Sequence, residues 1–236
     1  MKPLIITPLY NAEPNLEELI NSIKSQTIQD FQHILIDDLS TDNSYEKAVN
    51  LTKNDERFVV KKNTEKCYAL KNIINEARKH QEKEDLWIGV IDSDDALIND
   101  KAFELILNEY KNGNDVVWTA NRWDINGYNS SGEMDQVRDP FCVPWRCSHF
   151  RSFRATTLKK VKQENFLING QFPIRGYDQM LMLPLLYISK GRRKYIPEVC
   201  YSYRINSCSI KLEDRNWAER EQITTIKFLR ARGFVA

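Results

Sequence analysis

The sequence predicts an α/β protein with a central, mostly parallel sheet flanked by helices. Three observations predict it. Over the first 120 residues, short apolar runs alternate with segments whose apolar residues recur at helical spacing; that β-α-β-α order calls for parallel strands joined by right-handed crossovers. The apolar runs stop abruptly on polar residues, at Thr7-Pro8, at Asp37-Asp38 and at Asp92. Finally, 236 residues of which 42% are hydrophobic can bury a substantial core.

The elements follow in order. Leu4 to Thr7 is a short strand, with Pro8 and Asn11 marking its turn. Residues 14–26 form a helix, because Pro14 fits a first turn and Leu16, Leu19, Ile20 and Ile23 share one face. Phe31 to Ile36 is the second strand, followed by a helix from about Ser44 to Lys53. Phe58 to Lys61 is the third strand, and residues 67–80 the next helix, with Ala69, Ile73 and Ala77 on one side. Leu86 to Ile91, the most apolar strand, ends on Asp92; a helix over 100–111 and a strand from Asp115 to Ala120 complete the regular part. Residues 124–148 are polar and turn-rich, 150–163 and 176–189 read as helices, and 195–205 carries the spaced aromatics Tyr195, Tyr201 and Tyr203. The last 20 residues read as a charged amphipathic helix. With no repeat, low-complexity tract or linker, the expectation is one domain over 1–236: a regular half to about 123, a less regular half over about 124–210 on the same sheet, and a helix over about 211–236.

Composition excludes several functions. Thirty-four basic and thirty-three acidic residues give a net charge of +1, which argues against a protein devoted to gripping a polyanion. There are eight glycines and no G-x-G; the one five-residue spacing, Gly127 to Gly132, is followed by Glu133 where a P-loop needs lysine. Glycine-rich phosphate cradles are therefore excluded. Five cysteines without C-x-x-C suggest neither a disulfide framework nor a zinc ribbon, and point to a reducing cytoplasmic setting. Three histidines form no H-x-x-x-H pair, so a metal would rely on oxygen ligands, which favours Mg2+ or Mn2+. No apolar run is long enough to span a membrane, and no signal-peptide layout opens the chain. The expected location is cytoplasmic, with peripheral contact at the inner membrane face left open.

In an open α/β sheet, ligands bind beyond the carboxyl ends of the strands. Those ends carry Thr7-Pro8-Leu9-Tyr10-Asn11, then Asp37-Asp38-Leu39-Ser40-Thr41-Asp42, then Asp92-Ser93-Asp94-Asp95. One such aspartate is readily a helix cap, as Asp42 or Ser44 can be. Capping does not account for three aspartates within four residues after a buried strand. A divalent cation does, because it cancels the repulsion of the carboxylates it binds.

T-P-x-Y-N after the first strand, I-D-D-x-S-x-D-x-S after the second and I-D-S-D-D after the fourth resemble the inverting family 2 glycosyltransferases of the GT-A fold. Gln26-Thr27 and the A-L-K-N of Ala69 to Asn72 fall where that family has Q-T and A-R-N. The resemblance spans residues 3–123 and continues more loosely over 145–210. It implies transfer of a sugar from a nucleotide sugar, UDP-linked in the favoured version, to an acceptor hydroxyl. By it, Thr7, Pro8 and Tyr10 line the nucleobase pocket and Asp38 accepts from the N3–H of uracil. Lys71, standing where the family usually has arginine, approaches the base or diphosphate without the bidentate fork. Asp92, Asp94 and Asp95 grip the ribose and hold Mn2+ or Mg2+, with Asp94 and Asp95 as the metal pair.

Inversion needs a base for the acceptor proton and stabilisation of the leaving diphosphate. Arg175-Gly176-Tyr177-Asp178-Gln179 resembles the family's E-D or G-x-D motif, which makes Asp178 the base; the plainer alternative is a helix N-cap. Trp145 to Arg154 resembles stretches that shape the acceptor and diphosphate side, where Trp145, His149 and Arg154 are the candidates. Tyr203-Arg204-x-Asn206-x-x-Ser209 resembles the Y-R-x-H-x-x-S loop that closes over the donor, with Arg204 neutralising diphosphate and Asn206 replacing a histidine that helps hold metal. The clusters Lys159-Lys160-x-Lys162 and Arg192-Arg193-Lys194 are either solvated faces or contacts to an anionic acceptor: a glycan on a lipid or, less favoured, a nucleic acid. A nucleotidylyltransferase would need a glycine-rich loop where TPLYNAEPN has no glycine. A D-x-D phosphatase would carry its motif after the first strand. A sugar-nucleotide-binding module without turnover is the remaining rival.

Overall fold

A computed structural model describes residues 1–205 and 215–236. Its strands are β1 (Lys2–Leu9), β2 (Gln32–Asp37), β3 (Phe58–Lys62), β4 (Leu86–Val90), β5 (Ala96–Leu97), β6 (Val116–Trp123), β7 (Arg151–Arg154) and β8 (Arg193–Tyr203). The helices are α1 (Leu16–Lys24), α2 (Ser44–Thr52), α3 (Tyr68–Arg78), α4 (Ala102–Lys111), α5 (Ala155–Lys159), α6 (Tyr177–Ile188) and α7 (Arg215–Arg232). All eight strands form one sheet in the order β3-β2-β1-β4-β7-β6-β8-β5. The first four positions are parallel, whereas β7 runs antiparallel to both its neighbours.

Alternation along β1 explains the layering. Leu4 and Ile6 enter the core on one face with Leu70, Ile73 and Ala77 of α3 and Leu181 to Leu183 of α6. Ile5 and Leu9 enter the opposite core with Leu16, Leu19, Ile20 and Ile23 of α1. Successive strand side chains point to opposite faces, so a strand covered on both sides is apolar throughout. Each buried Leu or Ile contributes roughly 1.5–3 kcal/mol by leaving water, and a charge at Ile20, wholly buried, would break the α1 contact.

Two expectations need correction. Residues 150–163 are not one helix: Arg151–Arg154 is a strand wedged between β4 and β6, and the helix after it, α5, has only five residues. The sheet supplies the reason. Arg151 pairs with Val90 and Trp118, Phe153 with Ile88 and Val116, so β7 hydrogen-bonds on both edges and packs on both faces. The two-residue strand β5 was not anticipated; it exists because β8 returns beside it, Leu97 opposite Tyr201 and Ala96 opposite Ser202.

Parallel pairing aligns the strand ends. Leu9 lies opposite Asp37, which lies opposite Lys62, and Ile6 lies opposite Val90. The turns after β1, β2 and β4 therefore open on one edge. Three non-glycine residues on this side of the sheet adopt left-handed backbone: Asn11 (φ 49°), Leu39 (φ 61°) and Tyr68 (φ 60°). Such conformations cost about 1–3 kcal/mol and concentrate at functional sites. Among the described residues, no helix is long and apolar enough to cross a membrane.

Candidate active site

A cavity of about 450 Å³ opens at this edge, lined from the regular half by Pro8, Tyr10, Asp38 and Asp92 to Asp94, and from the rest of the chain by His149, Arg151, Asp178 and Arg204 among others.

At one end Asp38 is held by its own chain. The backbone N–H groups of Cys67 and Tyr68 donate to its two carboxylate oxygens at 2.8 Å each, and Asn63 Nδ2 donates at 2.7 Å. Burial works to raise its pKa, but these donors, with the amide of Asn72 nearby, outweigh it and hold the carboxyl below its usual range. Asp38 is an ionised acceptor fixed in place. Pro8 and Tyr10 share its wall. Thr7 does not: its hydroxyl is 2.9 Å from His33 Nε2 beneath the cavity floor, and burial lowers His33 to about 3, so that ring is neutral. Lys71 also lies outside the lining, paired with Glu65 at 2.8 Å. Lys66, which sequence reasoning did not single out, is in the lining instead.

The middle is the turn after β4. Asp95 is buried: Tyr201 donates its hydroxyl to Oδ2 at 2.9 Å and the Arg204 N–H donates to Oδ1 at 2.8 Å. Its pKa is pushed well up, first by burial and then by the charges of Asp94 and Asp92. Asp92 accepts from the Tyr177 hydroxyl, lies 3.5 Å from Arg151 Nη2 and has His149 Nδ1 3.8 Å from its Oδ2. The His149 ring is sandwiched between Tyr201 and Tyr203, with centroids 4.8 and 4.7 Å away. Burial lowers its pKa well below the usual histidine value, leaving a neutral imidazole, and its Nδ1 is buried without a hydrogen-bond partner among the described residues.

Ligand atoms of Asp92, Asp95 and His149 all lie within 4.8 Å of one another. Two carboxylates and a neutral, otherwise unpartnered imidazole nitrogen fit a divalent cation. This trio differs from the Asp94–Asp95 pair expected from the motif. Asp94 lines the cavity, and its carbonyl accepts from Arg204 Nη1 at 2.5 Å. Arg204, ion-paired with Glu18, thus stands over the acidic turn. Asn206 and Ser209 lie outside the described residues.

At the far end Asp178 occupies the first turn of α6, just after Gly176, whose left-handed backbone (φ 72°) starts the helix. A side chain there would also press on Thr225 of α7, 3.1 Å from the added carbon. Burial raises the Asp178 pKa; the Arg151 charge pulls it back and Asp92 adds to the rise. That suits a proton acceptor better than an ordinary surface carboxylate.

Arg151 is a second residue that sequence reasoning missed. It is fully buried, donates from Nη2 to the Tyr177 hydroxyl at 2.6 Å and stacks over that ring. Arg154, chosen from the same stretch, points elsewhere: its Nε donates to the Asn114 carbonyl at 2.7 Å, and it faces Asp115. Trp145 packs against the core, away from the cavity lining. Strand alternation was the available signal, because His149 and Arg151 are two residues apart and Arg151 and Arg154 three.

The sequence model described as "Glycosyl transferase family 2" matches residues 4–178. The chain belongs to this family. Its relatives include proteins named as glycosyltransferases and polysaccharide synthases. It is 25% identical over 91% of its length to glycosyltransferase GlyG of Streptococcus pneumoniae, covering 75% of that protein. It is 29% identical over 84% of its length to the Escherichia coli chondroitin synthase, of which it covers only 28%. Among solved structures, S. aureus TarS in complex with UDP-GlcNAc superposes with a TM-score of 0.70 at 19% identity, over all of this chain and 68% of that one. The mannosyltransferase PcManGT from Pyrobaculum calidifontis, in complex with GDP-Man and Mn2+, gives 0.64 at 15% identity, over 99% of this chain and 65% of that one. The fold is the GT-A fold of family 2 glycosyltransferases.

Proposed function

We propose that this chain is a metal-dependent, inverting glycosyltransferase that takes a sugar from a UDP-sugar and passes it to an acceptor hydroxyl. One observation carries the reading: a fixed, ionised Asp38, a turn of aspartates and a half-buried carboxylate with a raised pKa line one cavity.

The nucleobase stacks on Tyr10 between Pro8 and Asp38, with Asp38 accepting the N3–H that uracil has and cytosine lacks. The UDP and UDP-GlcNAc complexes of TarS support this choice of donor, whereas GDP-Man in PcManGT shows that the fold itself does not impose it. Asp92 and Asp94 face the ribose and diphosphate. Asp92, Asp95 and His149, with Asp94 beside them, would hold Mn2+ or Mg2+. When bound there, the ion would supply positive charge to offset that building on the leaving diphosphate. Arg204 lies beside the same turn and adds a fixed cation.

Asp178 takes the acceptor proton. As the acceptor oxygen bonds to the anomeric carbon from the face opposite the diphosphate, the carbon–oxygen bond to the diphosphate breaks and its electron pair leaves with UDP. The hydroxyl proton passes to the Asp178 carboxylate. Tyr68, Tyr203 and Trp217 also line the cavity and would help exclude water that competes as acceptor. In this reading residues 1–236 act as one unit, donor held by the first half and base supplied by the second.

The acceptor is a glycan, free or lipid-linked, as the names of the chondroitin synthase and of the minor teichoic acid biosynthesis protein GgaB, 27% identical over 95% of this chain, suggest. The free thiols at Cys67, Cys142, Cys147 and Cys200 suit a cytoplasmic reaction. The basic clusters speak against a nucleic acid acceptor. Lys159 pairs with Glu82, Lys162 donates to the Ala236 carbonyl, Arg192 pairs with Asp115, and Arg193 is buried against the Leu186 and Arg138 carbonyls.

The test is nucleotide release from a panel of UDP- and GDP-sugars with Mn2+, native against Asp178→Asn. Release from a UDP-sugar that drops at least about 100-fold in the variant is expected for loss of a general base. Tight Mn2+-dependent UDP binding with no release from any donor would instead identify a binding module.

A further inference from the structure

Lys66 stands where the nucleobase of the proposed donor should lie. Its ammonium is 3.0 Å from the centroid of the Tyr10 ring, both residues line the cavity, and the ammonium is 5.8 Å from the centroid of Tyr68. It donates to the Asp38 carbonyl oxygen at 2.7 Å and lies 3.5 Å from Asp38 Oδ2. The position of that second contact matters. Asp38 Oδ1 already accepts two hydrogen bonds, from Asn63 and Cys67, while Oδ2 accepts one, from Tyr68. A carboxylate oxygen has two lone-pair sites, so the spare acceptor of Asp38 is on Oδ2, and Lys66 is the cation beside it.

Uracil recognition by this site needs two things: an open face of Tyr10 and the spare lone pair of Asp38. One ammonium covers both. An aromatic ring stacks about 3.5 Å from its partner, so a base and an ammonium 3.0 Å above the same ring exclude each other. We propose that Lys66 is an internal occupant of the base slot, a residue that sets donor affinity by competing with the nucleobase for Tyr10 and Asp38. This rests on the reading of Tyr10 and Asp38 as the base pocket and adds a further residue to it.

The geometry allows displacement. Lys66 lies in the segment between β3 and α3, and its side chain is 30% exposed, with a flexible stem that can swing into solvent. Burial already disfavours its charged form, lowering its pKa, so leaving the slot regains hydration. Departure breaks the cation–π interactions with Tyr10 and Tyr68, the hydrogen bond to the Asp38 carbonyl and the longer approach to Oδ2.

Uridine is the decisive probe. It is uncharged, so removing a lysine cannot change its binding through long-range attraction. Calorimetric titration of native protein, Lys66→Ala and Lys66→Gln with uridine and with UDP is expected to show uridine binding about 2- to 30-fold tighter in both variants, the size of one cation–π contact. UDP should gain less, because it also loses a nearby positive charge. Melting temperatures near the native value would show that both variants fold. Uridine binding that is unchanged or weaker in folded variants overturns the proposal; weakening confined to UDP would make Lys66 a phosphate ligand instead. If neither native protein nor variants bind any uridine compound, the base-pocket reading itself fails and takes this one with it.

Discussion

Tyr177 ties the base to the acidic turn: its hydroxyl accepts from Arg151 Nη2 at 2.6 Å and donates to Asp92. The next residue is Asp178. One phenol thus links the first turn of α6 to the turn after β4, and the buried Arg151 charge balances both carboxylates. A hydrogen bond to a charged group is worth about 1.5–3 kcal/mol. Tyr177→Phe should therefore lower turnover roughly 10- to 100-fold, with UDP affinity within a few-fold of native. Parallel measurement of kcat and of UDP binding checks this; a variant that loses UDP binding instead would show that Tyr177 serves the donor and not the geometry around Asp178.

The raised pKa of Asp178 sets the acid limb of the rate profile. A base must be ionised to act, and burial shifts this carboxyl upward. Turnover should fall as pH drops through a value above the ordinary aspartate range of about 3.9. Arg151 opposes that shift. Arg151→Met should move the limb to higher pH as well as slowing the plateau, which a pH series of kcat at saturating donor would reveal.

Arg151 and Arg154 show what the sequence carried and what it hid. The motifs after β1, β2 and β4 were legible because parallel pairing turns position along the chain into position at one edge. Pro8, Tyr10, Asp38, Asp92 and Asp94 do line the cavity. Thr7, in the first of those motifs, and Lys71, in α3, do not, since strand pleat and helix phase aim them elsewhere. Within residues 145–154 the aromatic and basic density looked uniform, and reading 150–163 as a helix removed the alternation that separates Arg151 from Arg154. Only the sheet, by inserting β7 between β4 and β6, decides it. Arg154→Met should accordingly lower stability by about 1–3 kcal/mol, the cost of unpairing the Asn114 and Tyr110 carbonyls and Asp115. Its kcat should stay within about threefold of native under folding conditions. Denaturant unfolding together with initial rates separates the two effects.

Metal binding should be linked to the proton on Asp95. Burial, Asp94 and Asp92 all raise the pKa of this carboxyl. The sign follows: a carboxyl whose folded pKa lies above its unfolded value favours the folded state while protonated, and that contribution is lost as pH rises through the folded pKa. Once Asp95 is ionised, the turn is under repulsion that a divalent cation relieves. Binding must displace the Asp95 proton, so affinity rises with pH. The Mn2+-induced rise in melting temperature should be larger at about pH 7.5 than at about pH 5.5, because a ligand stabilises in proportion to its occupancy of the folded state. Asp95→Asn should raise the metal-free melting temperature at the higher pH and abolish most of the Mn2+ shift. His149→Ala should reduce the shift without the metal-free gain, since the neutral imidazole adds no repulsion. A Mn2+ shift that is independent of pH and survives both substitutions would place the ion on Asp94, away from this trio.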